Sequence, residues 1–145
     1  QEMTVSLLAD DMHYYWPVAM RTALAAEDDE AVDDLWRIGA QAEQTLAGTT
    51  SLVGHARVFR ALQELRRPDP DLASVEADLM EGIAILGRTG NVVWRAHAEE
   101  DLGRFLLAHG RAEDAAPYLK AARDVYERLG ATTWLARLGQ PAGLT

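Results

Sequence analysis

The residues best suited to chemistry are a histidine and three carboxylates close together in the sequence. His97 and Glu100 stand one helical turn apart, with Glu99 and Asp101 beside them. A carboxylate–histidine metal site between helices uses the order Glu-x-x-His, normally twice, with further carboxylates facing inward. This chain has the reversed order, and it has it once. The sequence therefore predicts a polar helix face here and no metal site.

Other patterns that sometimes carry chemistry fail on their spacing. Gly87–Asn91 has neither the lysine nor the preceding strand of a phosphate-binding loop. The acidic run Glu27–Glu30 lacks the alternating ligands and central glycine of a calcium loop, so we interpret it as a helix cap. His13, His55 and His109 are scattered, and the few serines lie outside any nucleophile-elbow motif. We expect no catalysis, metal or cofactor in this segment.

Composition narrows the class of protein. The net charge of −9 repels phosphate backbones, so no nucleic-acid partner is expected. No run reaches the roughly 18 apolar residues that would cross a bilayer, so no membrane contact is expected. The chain lacks cysteine, which fits a reducing cytoplasm. The arginine-rich composition is typical of a GC-rich bacterial genome, and a start at Gln1 suggests a piece of a larger protein.

A recurring interval of 40 residues organises the chain, and Trp94 and Trp134 mark it most clearly. Positions that correspond under this shift include Gly90 and Gly130, and Leu46, Leu86 and Tyr126. Helical hairpins that recur at such a period stack to bury their apolar faces. The sequence thus predicts a single all-α domain, a right-handed superhelical array of about three hairpins with a C-terminal capping helix. The hairpins are expected at about 12–47, 52–87 and 92–129, and the cap at 132–139.

Local signals refine the ends of these elements. Asp10 and Asp11 predict the start of the first helix, with residues 1–9 as the tail of an earlier repeat or a frayed terminus. The aromatic cluster at 14–16 favours packing over a binding patch. At the other end of the chain, Thr132 or Thr133 is predicted to cap the terminal helix.

The last hairpin resembles a tetratricopeptide repeat. The residues at that motif's spacing are Leu102, Gly103, Leu106, Gly110, Ala115, Leu119 and Ala122. The proline that usually follows the second helix is absent, and that helix is expected to continue to Leu129. The middle hairpin keeps Leu62, Leu79 and Gly82, and the first hairpin matches more weakly.

A second resemblance covers most of the chain. The runs VEADLMEGIAILGRTG, DLGRFLLAHGRAEDAAPYL and YERLGATTWLAR look like the C-terminal helical region of large actinobacterial signalling proteins. In those proteins a tetratricopeptide-like tail follows a STAND-type ATPase core, often with an adenylate/guanylate cyclase domain in front and sometimes a LuxR-type DNA-binding domain behind. The activation domain of antibiotic-type regulators is a looser relative. The resemblance implies a scaffold or sensor segment of a bacterial regulator, with catalysis elsewhere in the parent.

The resemblance also implies a binding surface, the concave face made by the first helix of each hairpin. Carried over residue by residue, this face contains Arg57, Arg60, Glu64, Arg67, His97, Glu100, Arg104 and Leu107, with Met20, Leu24 and Glu27 from the first hairpin. Guanidinium groups suit the carboxylates of an acidic or C-terminal peptide. The expected partner is therefore a protein, a peptide or another domain of the parent chain.

Two rival classes stay open, and an enzyme is the third and least favoured. The first rival is a transcription-factor activation domain of similar fold. The second is a small-ligand sensor, which a deep apolar pocket surrounded by Arg57, Arg60 and Arg104 would favour. The alternative for the charged residues of the concave face is a solvated surface without a binding role. Apolar faces at the ends of the stack predict at most a weak homodimer.

Overall fold

The computed structural model describes the backbone of residues 2–45 and 50–140, and the side chains of residues 12–42 and 51–140. The described residues form seven α-helices and no strand, which confirms the all-α prediction. None of these helices has the length and apolarity to cross a membrane. In chain order the helices are α1 (Glu2–Ala25), α2 (Asp29–Thr45), α3 (Thr50–Glu64), α4 (Leu72–Arg88), α5 (Val92–Ala108), α6 (Ala112–Leu129) and α7 (Thr132–Leu138).

The first helix is longer than predicted. α1 runs through Asp10 and Asp11 without beginning there, so these residues are not its N-cap, and the residues before them extend α1. Leucine and alanine at positions 7–9 favour helix, which lets the chain continue across the two aspartates. Pro17 therefore lies inside the helix, where its missing N–H leaves out the bond to the His13 carbonyl.

One helix start is capped as the sequence predicts, and another is not. Asp28 Oδ1 accepts a hydrogen bond from the Ala31 backbone N–H at 3.0 Å, which confirms a capping role for the acidic run. The prediction of a threonine cap for α7 is wrong, because both threonines lie inside that helix. Ala131 stands at its N-cap position and has no side-chain acceptor to offer.

The turns after α4 and α6 are built alike at positions 40 residues apart. The Asn91 N–H donates to the Leu86 carbonyl at 3.0 Å, and the Ala131 N–H donates to the Tyr126 carbonyl at 2.9 Å. In both turns the glycine before the donor has a positive φ, +75° and +64°, as this type of C-cap requires. The Leu86 and Tyr126 side chains are both buried. The turn after α5 has the same hydrogen bond, from the Arg111 N–H to the Leu106 carbonyl at 2.9 Å, so this type of C-cap recurs every 20 residues here. Leu46 lies outside the described residues.

Aromatic and histidine rings connect the first helices of the hairpins. Successive ring centroids lie 4.5 to 6.0 Å apart along a path from α1 through α3 and α5 to α7. Edge-to-face and offset contacts at these distances stabilise a core beyond simple burial. We call this set the aromatic ladder; its members are Trp16, Phe59, His55, Trp94, His97 and Trp134.

The hairpins join one another in two ways. α4 packs on α5 and α6 packs on α7, so each second helix contacts the next first helix. The first hairpin instead joins the second mainly through α1 against α3. α5 packs against both α4 and α6, so it is an inner helix of the last two hairpins.

Replacing Gly82 with alanine tests the close approach of α3 and α4. A Cβ at residue 82 would stand 2.6 Å from Val58 Cγ2 and 3.0 Å from the Gly54 carbonyl oxygen. Val58 is buried and β-branched, so it has little freedom to move. We expect Gly82→Ala to lower the free energy of unfolding by about 1–3 kcal/mol, measured by urea denaturation.

Gly139→Ala is the matched control for that substitution. Its Cβ would have 3.5 Å to its nearest neighbour, the Ala136 carbonyl oxygen, and its backbone is right-handed helical. We expect a change within about 0.5 kcal/mol. Equal losses in the two variants would contradict tight helix packing at residue 82.

A candidate binding groove along the first helices

One concavity of about 690 Å³ runs along the first helices of the hairpins and the terminal helix. Each of these four helices contributes to its wall. Representative lining residues are Leu24 from α1, Leu62 from α3, Trp94 from α5 and Trp134 from α7. We call this concavity the arginine compartment, for the side chains described below.

A second concavity of about 450 Å³ adjoins the first and is mainly apolar. It shares Val18, Trp94, His97 and Trp134 with the arginine compartment. We call it the apolar compartment, and the two together the groove. The residues that belong to the apolar compartment alone are Tyr14, Gly90, Asn91, Val92 and Val93.

The arginine compartment is locally positive in a protein of net charge −9. Four arginines line it against two carboxylates. These residues are Arg21, Arg66, Arg104 and Arg137, with Glu100 and Asp101. A local excess of guanidinium groups favours an anionic ligand where the remaining surface repels one.

An ion pair between Arg21 and Asp101 closes one wall of the groove. Arg21 Nη2 donates to Asp101 Oδ2 at 2.8 Å, and the two side chains are 26% and 16% exposed. Burial raises the pKa of Asp101 even though the Arg21 charge opposes that shift. The pair brings α1 and α5 together although the two residues lie 80 positions apart in the chain.

Glu100 binds the last three helices together. Its Oε1 accepts from the Tyr126 hydroxyl at 3.1 Å and from Arg137 Nη2 at 2.7 Å. Its Oε2 accepts from Arg137 Nε at 2.8 Å and from Arg104 Nε at 3.2 Å. Arg104 also donates to the Arg137 carbonyl. Burial alone raises the pKa of Glu100, but the bonds and charges of these partners outweigh it and lower the pKa overall.

His97 lies at the boundary between the two compartments. Its Nδ1 and the Tyr126 hydroxyl are hydrogen-bonded at 2.8 Å, and its ring meets the edge of the Trp134 ring with centroids 4.5 Å apart. Burial, with smaller contributions from the Arg21 and Arg137 charges, lowers the pKa of His97 to about 4. The imidazole is therefore neutral at pH 7, and the positive charge of the compartment comes from its arginines.

The structure brings together three of the predicted site residues, in a different state from the one expected. His97, Glu100 and Arg104 do line the groove. However, His97 and Glu100 are only 8% and 3% exposed, so the alternative of a solvated surface is wrong for these two residues. α5 is packed on both sides, and partners from α6 and α7 compensate the charge of Glu100.

Arg57 and Arg60 lie elsewhere. They line a separate cavity of about 280 Å³ beside Trp36. Arg57 forms an ion pair with Asp78 at 2.9 Å. Arg104 lines the groove, so the three arginines do not enclose one pocket, as the small-ligand alternative required.

Glu64 and Arg67 stabilise a turn. Glu64 Oε1 accepts from the Asp71 N–H at 2.9 Å and Oε2 accepts from Arg67 Nη1 at 3.1 Å, and these bonds lower the pKa of Glu64. Leu107, the last residue predicted for the concave face, is 38% exposed and does not line the groove. The prediction for Met20 is wrong, since its side chain is fully buried in the core.

Two further expectations concern the first hairpin. Leu24 lines the groove as expected. Glu27 was expected on the same face but does not line the groove. It lies in the turn after α1, with a φ of 57°.

Sequence reasoning missed several groove residues. Trp134 and Arg137 could have been predicted, because the 40-residue shift aligns them with Trp94 and with His97, which was predicted for the concave face. Arg21 had no such signal, since its partner Asp101 is two periods away along the chain.

Comparison of the chain with models of protein families, with characterised proteins and with solved structures found no significant match.

Acidification is expected to destabilise the protein through two buried histidines. Burial, followed by nearby positive charges, lowers the pKa of His55 to about 3 and that of His97 to about 4, from 6.5 in the unfolded chain. Below pH 6.5 the unfolded chain therefore binds more protons than the folded one. The free energy of unfolding should fall by about 1.4 kcal/mol per pH unit for each histidine as the pH drops from 6.5.

Urea denaturation between pH 5 and 7 measures this effect. Burial raises the pKa of Glu99 and of Asp101, which contributes in the opposite direction, so the contribution of one histidine is obtained by comparing variants. His55→Leu should reduce the slope below pH 6.5 by about 1.4 kcal/mol per pH unit. Met80→Ser, at an exposed residue that does not titrate, is the control and should leave the slope unchanged. A slope that His55→Leu does not alter would contradict the burial of a neutral imidazole at residue 55.

Proposed function

We propose that this segment is a tetratricopeptide-like, right-handed stack of helical hairpins that binds a protein, a peptide or another domain of its parent chain. The observation that carries this proposal is the groove itself, which receives side chains from the first helix of every hairpin and from α7. Stacked hairpins produce an extended concave surface, and helical-repeat proteins use that surface for binding.

Two features support a repeat stack over an irregular bundle. Leu86 and Tyr126, 40 residues apart near the ends of α4 and α6, are both buried, at 1% and 0% exposed. Trp94 and Trp134, separated by the same interval, both line the groove. Two tryptophans one period apart on the same face support a surface built from repeated units.

The extent of the groove favours a polypeptide partner. Its two compartments are lined by residues from Tyr14 to Gln140 and involve four helices. An extended peptide matches such a length better than a compact metabolite does. On the resemblance described above, the parent is a cytoplasmic bacterial signalling or transcriptional regulator, and any ATPase or cyclase chemistry belongs to its other domains.

Site-specific photocrosslinking tests the location of the binding surface. A photoreactive amino acid at Thr22, which is exposed and lines the groove, should crosslink to a distinct partner in the cells that produce the protein. The same amino acid at Met80, 48% exposed on α4, is the control. Identical crosslinking patterns at the two positions would contradict the proposal.

A further inference from the structure

We infer that the segment bound in the groove carries a large apolar side chain close to one or more carboxylates. This inference rests on the proposed function and specifies the chemistry of the partner. It follows from the contrast between the two compartments and from their direct connection at Val18, Trp94, His97 and Trp134. A ligand that fills the groove must satisfy both compartments within a short length of chain.

The apolar compartment offers an unfilled site for a large side chain. Tyr14, Val18 and Val92 are 63%, 43% and 54% exposed, although all three are large and apolar and lie around one recess. Trp94 and Trp134 complete its walls. Recesses of this kind accept the aromatic or aliphatic anchors that contribute most of the affinity in protein interfaces.

The arginine compartment has positive charge to spare. Arg21 is paired with Asp101, while Arg104 and Arg137 share the single carboxylate of Glu100. Arg66 pairs with Asp29, whose side chain is 83% exposed and competes with water. Arg66 is therefore the guanidinium most readily transferred to a carboxylate of the partner, with which it can form two parallel hydrogen bonds.

The charge of the whole protein sharpens this preference. At a net charge of −9, most of the surface repels an acidic segment, so such a segment is held only where arginines are in local excess. Because the two compartments adjoin, an apolar side chain bound in one places a nearby carboxylate of the same segment in the other. A basic segment would meet the net positive charge of the arginine compartment and is disfavoured.

Selection from a random peptide library displayed on phage, with the complete 145-residue chain as bait, tests the inference. Synthetic versions of the enriched peptides are then titrated by fluorescence polarisation against the unmodified protein and two groove variants. Tyr14→Ser changes the apolar compartment and Arg66→Glu changes the arginine compartment. Met80→Ser and Arg123→Glu are matched controls at exposed positions outside the groove.

We expect the enriched peptides to combine an aromatic or large aliphatic residue with nearby Asp or Glu. Arg66→Glu should weaken their binding at least about tenfold, with a strong dependence on salt. Tyr14→Ser should weaken it by a similar factor with little dependence on salt. Both controls should bind as the unmodified protein does, and circular dichroism should show that all four variants are folded.

The possible failures are distinguishable. Peptides of another composition that are still sensitive to the groove variants would overturn the inference and leave the proposed function standing. Absence of enrichment, or binding that the groove variants do not alter, would overturn both. Concentration-dependent dimerisation abolished by Tyr14→Ser, measured by sedimentation equilibrium, would show a second copy in the groove and would also overturn the inference.

Discussion

Glu100→Gln is expected to lower the free energy of unfolding by about 2–3 kcal/mol. Glu100 is 3% exposed and accepts four hydrogen bonds, three of them from the guanidinium groups of Arg104 and Arg137. The neutral amide of glutamine leaves the guanidinium groups of Arg104 and Arg137 without a carboxylate partner. It also places an N–H donor where the carboxylate accepted hydrogen bonds from them. The loss should stay below that of a fully buried pair because Arg104 and Arg137 are 28% and 43% exposed to solvent.

Glu99→Gln is the matched control, one residue away on the same helix. Glu99 is 5% exposed, and burial raises the pKa of Glu99 despite the Arg95 charge. Burial therefore makes the charged carboxylate costly in the folded state, and a neutral amide should change stability at pH 7 by less than about 0.5 kcal/mol or increase it slightly. Urea denaturation of both variants measures the difference. Equal destabilisation would contradict the role assigned to the partners of Glu100.

Trp16→Ala is expected to cost about 3–5 kcal/mol, the largest effect of any substitution considered. Trp16 is 4% exposed and packs edge-on against Trp36 and Phe59, with centroids 5.7 and 5.4 Å apart. Its Nε1 donates to the Leu35 carbonyl at 2.7 Å. The indole therefore fastens α1 to both α2 and α3, and the smaller side chain leaves a cavity where these three helices meet.

Tyr15→Ala is the control for Trp16→Ala. Tyr15 is the preceding residue in α1 and is 63% exposed, so its removal should change stability by no more than about 0.5 kcal/mol. Denaturation followed by far-ultraviolet circular dichroism avoids any dependence on tryptophan fluorescence. If Trp16→Ala does not fold, Trp16→Phe should retain part of the packing and show an intermediate loss. Similar stabilities of the Trp16→Ala and Tyr15→Ala variants would contradict the packing described here.

The contrast between these neighbours also corrects the interpretation of the aromatic cluster. The sequence favoured packing for residues 14–16, and this is confirmed for Trp16 alone. Successive residues of an α-helix point about 100° apart, so three consecutive side chains cannot share one buried face. Tyr14 and Tyr15 are both 63% exposed, and Tyr14 belongs to the groove.

α7 has a larger part in the groove than a capping helix requires. Trp134 is shared by both compartments, and Arg137 is fixed to Glu100 by two hydrogen bonds. Loss of the Glu100 carboxylate should therefore loosen the wall that α7 provides, as well as reduce stability. Groove binding and global stability are coupled at this residue, which is why the binding test uses Tyr14 and Arg66 instead.

The sequence by itself determined the elements that depend on near neighbours. The helical character of the described chain, the end of α6 at Leu129 and the cap formed by Asp28 all followed from local pattern. Gly90 and Gly130, which correspond under the 40-residue shift, occupy the same position in two helix-ending turns. Such features depend on contacts between residues close together in the chain, so the order of residue types is enough to predict them.

Only the tertiary structure decided which of the polar residues make up the site. Nothing in the order of residues indicates that Arg21 pairs with Asp101, or that Arg57 and Arg60 line a different cavity from Arg104. Glu100 looked like a surface residue because its neighbours in sequence are polar. Its burial depends on partners supplied by α6 and α7, and the free energy of a buried charge is set by the groups around it in space.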